Sequence, residues 1–333
     1  MLRIHFTAGD LARTTLVNHL DPLWETLLSL HMLQMSDGTH HFAQWRKRTR
    51  RRLSPDTLGP LTVLAPPIGY SADFLTPPAG SAVFEEALEQ MLSVPRRRII
   101  ADLSHLAVSR SARPWVHELA DAQPESMRQL GQLVRTFYGV AVAPYGPSMK
   151  TAFVIDQKRR LAEVTAGGVE ALLEGIHPSA RWRDQVLEIS AFPTDSDLWL
   201  DGRGLRLQPS YFCWKSPTKL FNDDLAPVLV YPIDHTVQPL QATGASTDQR
   251  QSLDNLLGHT RAAVLALTTS SRTTTELATA THITLATASY HASALRSAGL
   301  IESHRHGKTV VHVATALGRG LLEGHYIHPA ADD

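Results

Sequence analysis

The segment 273–300, TTTELATATHITLATASYHASALRSAGL, contains two short helical patterns separated by only three or four residues. Thr273 and Glu276 have the spacing of a capping box, which predicts that a first helix starts there. The chain then turns through residues 281–283, and Thr284 is placed to cap a second helix. The segment therefore predicts two helices joined by a tight turn.

The second predicted helix has two contrasting faces. Ala288, Ala292 and Leu295 recur at i, i+4 and i+7, so we expect them to face inward. Gly299 is expected to end the helix in a left-handed conformation, with Leu300 folding back as in a Schellman motif. The opposite face has no acidic residue. It consists of Leu285, Ala286, Ser289, Tyr290, Ser293 and Arg296.

The flanking segments complete a larger architecture. Segment 301–313, IESHRHGKTVVHV, predicts strand, turn and strand, with Val311 and Val313 as the inward stripe. Segment 252–267, SLDNLLGHTRAAVLAL, predicts a helix that covers the pair. Together these elements form a winged helix-turn-helix, whose second motif helix fits the major groove of B-DNA, about 12 Å wide.

We expect the acid-free face to approach DNA, because it does not repel phosphates. The residues expected to read base edges are Leu285, Ala286, Ser289, Tyr290 and Ser293. Those expected near phosphates are Thr284, Thr287 and Arg296. At the tip of the β-ribbon, Arg305 and Lys308 are expected to contact the DNA backbone or a narrow minor groove.

The stretch TELATATHITLATASYHASALRSAGLIESHRHGKTV resembles the winged-helix domain of the ArsR/SmtB class of bacterial transcriptional regulators. Three positions depart from the usual text of the class: Thr281 and Ala292 replace leucines, and His282 replaces the turn glycine. His tolerates a left-handed turn better than most residues, so we expect the bend to survive. The two losses of apolar volume predict a domain that leans on neighbouring helices. The matching positions are Glu276, Leu277, Ala278, Ile283, Thr284, Thr287, Ser289, His291, Leu295, Ala298, Gly299, Leu300, Arg305 and Gly307.

The resemblance implies a sequence-specific regulator, which we expect to be a repressor that binds a near-palindromic operator as a homodimer. The Cys-x-Cys pair by which members of the class sense metals is absent. Its alternative, paired His and carboxylate ligands, is echoed only by His325, His328 and Glu323, near a chain end where an exposed tail is expected. We therefore expect no metal and no cofactor.

The rest of the chain predicts a separate α+β region. Segment 238–251, QPLQATGASTDQRQ, is polar and predicts a linker between a region 1–240 and a DNA-binding domain at 250–324. Region 1–240 is mostly helical in pattern, with helices expected at 81–92, 95–106, 124–141 and, as a long spine, 147–174. Thr7 and Asp10 are spaced as a capping box, and Asp21 precedes Pro22 as a helix start.

Short alternating segments in the region predict a small antiparallel sheet. They lie at 2–6, 186–192, 197–212 and 227–233, and the stretch 201–204 predicts a hairpin turn. The stretches LWETLLSLHMLQ, LAPPIGYSADFLTP and GRGLRLQPSYFCW, followed by PVLVYP, resemble the extended N-terminal region of a set of actinobacterial winged-helix regulators. The resemblance implies the same overall layout of a regulator. We expect this region to dimerise and to hold an effector site.

Two groups of residues have both a functional and a structural interpretation. An aromatic set either lines an effector cavity or forms core packing, and packing is favoured because half-buried strands require such residues. The basic run QWRKRTRRRL at 44–53 either contacts phosphates or is a solvated helix face, and Arg96 to Arg98 present the same choice. The aromatic residues are Trp182, Trp199, Tyr211, Phe212 and Trp214.

Composition limits the classes of function that the protein can have. Lys plus Arg and Asp plus Glu number 32 each, so any affinity for nucleic acid must come from local clustering of charge. No catalytic motif stands out, and Cys213, the single cysteine, has no sequence feature of a nucleophile. We expect a cytoplasmic protein that is not an enzyme. The alternatives left open are an enzyme or metabolite-handling domain whose winged helix contacts protein, and a regulator without a ligand.

The His residues in the DNA-binding part suggest one further hypothesis. Protonation near pH 6 would add positive charge there and tighten DNA binding. The residues concerned are His259, His282, His291, His304, His306 and His312.

Overall fold

The chain divides into two units, Met1–His235 and Thr236–Asp333, which we call the N-terminal and C-terminal units. The structure is a computed structural model that describes residues 1–106, 112–192, 194–235, 240, 253–306 and 309–323. The predicted linker at 238–251 lies outside the described residues, except for Leu240.

Capping residues start the first helices of the N-terminal unit where the sequence predicts them. Thr7 and Asp10 form the predicted capping box. The Asp21 carboxylate accepts hydrogen bonds from the N–H groups of Leu23 and Trp24 at 2.9 and 3.1 Å. The helices are α1 (Ala8–Arg13), α2 (Pro22–Gln34), α3 (Thr39–Arg52), α4 (Pro55–Leu64), α5 (Phe84–Leu92), α6 (Arg96–Ser104), α7 (Arg113–Ala120), α8 (Pro124–Ala141) and α9 (Gly146–Gly175).

Helix α9 is not the continuous spine that the pattern predicts. Gly167 and Gly168 have non-helical backbone angles, and Gly168 has φ 70°. The chain folds back there, so that Arg160 donates a hydrogen bond to the carbonyl oxygen of Gly175 at 2.6 Å. Without a Cβ, glycine enters the left-handed conformation at little cost, and a pair of glycines kinks a helix that apolar spacing would continue.

The strands of the N-terminal unit form two mixed four-stranded sheets, so the prediction of one small antiparallel sheet is confirmed only in part. The sheet orders are β3-β4-β1-β5 and β2-β6-β8-β7. β1 pairs in parallel with β5, and β6 pairs in parallel with β2 and β8. The strands are β1 (Leu2–His5), β2 (Thr15–Leu16), β3 (Ala180–Arg183), β4 (Val186–Ile189), β5 (Ser196–Trp199), β6 (Arg206–Ser210), β7 (Thr218–Lys219) and β8 (Val228–Pro232).

The predicted hairpin turn at 201–204 instead carries the chain from one sheet to the other. Asp201 and Gly204 do adopt positive φ, at 50° and 72°. However, β5 and β6 on either side belong to different sheets. The Asp10 carboxylate accepts the N–H of Gly204 at 2.9 Å, and a Cβ at Gly204 would lie 2.6 Å from the carbonyl oxygen of Arg13. Contacts at the end of α1 therefore hold the turn, in place of a partner strand.

The C-terminal unit has the predicted elements in the predicted order, with one helix interrupted and with a short strand, β9, and a last helix, α13, that were not predicted. A helical segment at 253–257 is separated from the next helix by Gly258, whose φ is 80°, so the predicted helix at 252–267 is broken there. Its three strands form a sheet of order β10-β11-β9. The elements are α10 (His259–Leu267), β9 (Arg272–Thr273), α11 (Thr274–Ala280), α12 (Leu285–Ser297), β10 (Ile301–His306), β11 (Thr309–Ala314) and α13 (Ala316–Glu323).

A compact apolar core joins the helices of this unit. Leu321 and Leu322 of α13 pack against it, as does Leu257. Both segments thus add apolar contacts to the core of the helix-turn-helix. The buried core residues are Val264, Leu265, Leu277, Ala278, Ala288, Ala292, Leu295, Leu300 and Ile301.

We predict that Gly318→Ala destabilises the C-terminal unit. A Cβ at Gly318 would overlap the carbonyl oxygen of Leu300 and lie 3.3 Å from Leu265, so α13 must move off the core. The expected loss is about 1–3 kcal/mol in the free energy of unfolding, measured by urea denaturation. Arg319→Ala, at the exposed neighbouring position, is the control and should change little. Equal stability of both variants would contradict the close packing of α13.

Candidate nucleic-acid interface

The turn between α11 and α12 fixes the direction of α12. His282 adopts the predicted left-handed conformation with φ 54°. Immediately after it, the N–H of Ile283 bonds to the carbonyl oxygen of Ala278 at 3.0 Å. Thr284 then caps α12, since its hydroxyl oxygen accepts the N–H of Thr287 at 3.2 Å. Backbone hydrogen bonds and a side-chain cap therefore set the point at which α12 leaves the turn.

A Schellman motif ends α12, as predicted. The N–H of Leu300 bonds to the carbonyl oxygen of Leu295, and the N–H of Gly299 to that of Arg296, both at 2.9 Å. Gly299 has φ 69°, and Leu300 is buried. The helix between the two caps has 13 residues and a length of about 20 Å.

The two faces of α12 are separated as the sequence predicts. Ala288, Ala292 and Leu295 are at most 2% exposed. Tyr290, on the opposite face, is 65% exposed, and Leu285, the first residue of the helix, is 54% exposed, although both are large and largely apolar. Thr287 is half-buried. The other exposed residues on this side are Thr284, Ala286, Ser289, Ser293 and Arg296.

The β10–β11 hairpin, which we call the wing, forms in the predicted place but presents the opposite side chains inward. His312 and Ala314 are buried, whereas Val311 and Val313 are only half-buried, so the predicted inward stripe is wrong. The strand register pairs Ser303 with His312. Arg305 is exposed on β10. The other predicted tip residue, Lys308, lies outside the described residues.

His312 connects the wing to the helix-turn-helix, a role that sequence analysis missed. Its two ring nitrogens lie 2.8 Å from the Ser303 hydroxyl on β10 and 2.9 Å from the Thr274 hydroxyl on α11. Burial, and then the charge of Arg296, lower the pKa of His312 below its usual value. The only sequence signal for this role was the alternation of side chains along β11, and the prediction placed the wrong set of alternate residues inward.

Two of the histidines proposed to charge near pH 6 have a pKa below the usual value for histidine. The pKa of His291 is also lowered, by burial and then by the charge of Arg261. His291 and His312 therefore resist the protonation that the sequence-based hypothesis requires of them. His306 has no described side chain.

Part of the basic run in α3 has a structural role. Arg46 is buried and donates hydrogen bonds to the carbonyl oxygens of Met32 and Asp37. Arg50 donates to the carbonyl oxygen of Leu33. These two guanidinium groups thus satisfy the carbonyls at the C-terminal end of α2, which would otherwise lack partners. Lys47, Arg51 and Arg52 are exposed.

The five aromatic residues proposed for an effector site do not lie together. Trp182 packs edge-on against Phe6 at 5.2 Å, and Trp199, 58% exposed, stacks on His5 at 3.8 Å. The other three belong to an aromatic cluster around Phe42, with ring centroids 5.3 to 6.2 Å from its ring. They are Tyr211 and Phe212, both buried, and Trp214.

Buried ionisable groups of the N-terminal unit join its helices to its strands. Glu25 accepts hydrogen bonds from the N–H groups of Tyr211 and Phe212 at 2.8 and 3.0 Å, and burial raises its pKa to about 7. The Asp156 carboxylate accepts the Tyr231 hydroxyl at 2.8 Å. Cys213 is buried, and burial raises the pKa of its thiol. These contacts are those of a packed interior.

The part of the chain that the structure describes has neither a metal-binding cluster nor a membrane-spanning helix. That part of the chain contains no group of three or more His, Cys, Asp or Glu side chains arranged to hold a metal ion. His325 and His328 lie outside it. None of the helices described is both long and apolar enough to span a membrane.

The interface thus has the elements of a helix-turn-helix followed by a wing. Residues 261–303 match the family described as "bacterial regulatory protein, arsR family". The match covers most of α10, all of α11 and α12, and the start of the wing, and it supports a DNA-binding transcription regulator of the ArsR type. No curated protein matches the chain, and no solved structure does.

We predict that the C-terminal unit loses stability as the pH falls from 7.5 to 5. The pKa of His312 is depressed in the folded state, so its contribution is fully present above the unfolded pKa, about 6.5, and is lost as the pH falls toward the folded pKa. His312→Gln should be less stable at pH 7.5 and should show a shallower loss, measured by urea denaturation at each pH.

The matched control for this measurement is His304→Gln. This side chain is 60% exposed on the same wing, so we expect the variant to lose stability with falling pH as steeply as wild type does. A wild-type stability that is constant over the range, or a His312→Gln profile as steep as that of wild type, would contradict the burial of a neutral His312.

Proposed function

We propose that the protein is a sequence-specific transcription regulator that binds duplex DNA through α12 and the wing. The observation that carries the proposal is the exposed face of α12, which has no acidic residue and is held between a capped start and a Schellman end. A rigid helix of this length fits the major groove of B-DNA, which is about 12 Å wide. Leu285, Ala286, Ser289, Tyr290 and Ser293 face the bases in this proposal.

Phosphate contacts come from the two ends of α12 and from the wing. Thr284 caps α12 and Thr287 lies in its first turn, where the helix dipole and the N–H groups that precede the first helical hydrogen bonds favour an anion. Arg296 lies in the last turn and Arg305 on β10, and both are exposed. Lys308 completes the set. These contacts position the helix, and base contacts supply the specificity.

In this proposal two chains pair to bind the operator. One helix-turn-helix contacts only a few base pairs, so a repressor acting at a near-palindromic operator binds as a homodimer. The N-terminal unit, as an extension preceding the DNA-binding unit, supplies dimerisation and an effector site. We propose no catalytic role for it, since Glu25 and Asp156 are engaged in internal hydrogen bonds.

Selection of bound fragments from a random DNA pool, followed by titration of variants, tests this function. We expect Tyr290→Ala to weaken binding to the selected site by about 1–3 kcal/mol and to relax its sequence preference. Arg305→Ala should weaken binding equally on all sequences and reduce the slope of log affinity against log salt by about 1. Arg128→Ala, an exposed arginine of the N-terminal unit, is the control. Failure to enrich any sequence would refute the proposal.

The selected fragments also test pairing. We predict an inverted repeat whose half-sites are separated by about 10 base pairs or a multiple of that distance. In light scattering, the protein part of the DNA complex, after the mass of the duplex is subtracted, should have twice the chain mass of 36.7 kDa. A single unrepeated site, bound by one chain, would refute the homodimer while leaving DNA binding intact.

A further inference from the structure

The side chains on the exposed face of α12 are of an unusual chemical kind for a helix that reads bases. From Leu285 to Leu295 the helix contains no Arg, Lys, Asn, Gln, Asp or Glu. Bidentate recognition of guanine uses Arg or Lys, that of adenine uses Asn or Gln, and cytosine is read by Asp or Glu. The first eleven residues of α12 can therefore make none of these contacts.

The face offers apolar groups and hydroxyls instead. Leu285 and Tyr290 expose more than half of their surface, and Ala286 is exposed beside Leu285. Thymine is the one base whose major-groove edge carries an apolar group, the C5 methyl. Burial of an exposed leucine against that methyl removes apolar surface of both partners from water.

We propose that α12 recognises thymine methyl groups, with Leu285, Ala286 and the ring of Tyr290 as the reading surface. The operator half-site is then specified by thymines under the first two turns of α12, and guanine is not read there. This inference rests on the proposed function and names the class of base edge that the same site takes.

The positions of these residues fit that role. Leu285 and Ala286 are the first two residues of α12, and the N-terminal residues of such a helix are those that contact base edges. Tyr290 lies edge-on to His291 with ring centroids 5.6 Å apart, a contact that restricts the ring. Arg296 lies in the last turn of α12, with Nη2 3.5 Å from the Ser293 hydroxyl. It is therefore assigned to a phosphate.

Replacement of single thymines by deoxyuridine in the selected site tests the proposal, because it removes only the methyl group. We expect affinity to fall about fourfold at each thymine that α12 contacts, as for one buried methyl-sized group. The same duplexes with 7-deazaguanine in place of each guanine should bind to wild type with unchanged affinity. Affinities are measured by fluorescence anisotropy with the full chain.

Variants assign the effect to α12. In Leu285→Ala, deoxyuridine at one thymine should no longer weaken binding, while sensitivity at the others persists. Tyr290→Ala should lose sensitivity at a different thymine. Ser297→Ala, at an exposed position of α12 outside the proposed base and phosphate contacts, should keep the wild-type pattern. Leu285 is exposed, so its truncation leaves the core intact, and circular dichroism verifies that folding is unchanged.

The outcomes separate the two proposals. Specific binding that is insensitive to every deoxyuridine, or that depends on 7-deazaguanine positions, would overturn methyl recognition while the DNA-binding function stands. Full deoxyuridine sensitivity in both Leu285→Ala and Tyr290→Ala would overturn it too, since the methyl groups would then be read elsewhere. Absence of specific DNA binding in the wild type would instead refute the proposed function itself.

Discussion

The close seating of α12 on the core of its own unit is the constraint on which the candidate site depends. Ala288 and Ala292 are almost fully buried and have the smallest side chains that still favour a helix, so α12 can approach its neighbours closely. With one face sealed in this way, the other face must point outward. Tyr290 is exposed because it lies opposite the buried alanines, whereas Leu285 is exposed at the first position of the helix.

The turn before α12 and the wing after it depend on that seating. His282 takes the left-handed conformation that glycine would adopt more easily, and the neighbouring hydrogen bond from Ile283 to Ala278 holds the bend. His312 bonds to side chains on β10 and α11, so the wing is attached to the motif by a buried polar group as well as by the chain. Such a group is costly to leave without partners, which favours one wing position.

The features predictable from sequence were those decided within a few residues. The capping box at Thr273, the cap at Thr284 and the Schellman ending at Gly299 each require only local side chains and backbone. The apolar spacing of α12 fixed its buried face in the same way. Which face of β11 is buried was not predictable, because both of its faces carry apolar residues. Burial of His312 depends on partners 9 and 38 positions away. The prediction of the sheet topology of the N-terminal unit failed for a similar reason, since β1 pairs with strands that lie far along the chain.

The most direct test of the account places a negative charge on the acid-free face. Ala286→Glu introduces a carboxylate at an exposed position of α12, and Ala101→Glu introduces the same group at an exposed position of α6. Binding of each full-length variant to a labelled duplex of the selected site is measured against salt concentration. The account predicts that Ala286→Glu weakens binding about tenfold or more, through repulsion by phosphates, while Ala101→Glu binds like wild type. Equal affinity of the two variants would contradict it, because α12 would then not be the helix that meets the DNA.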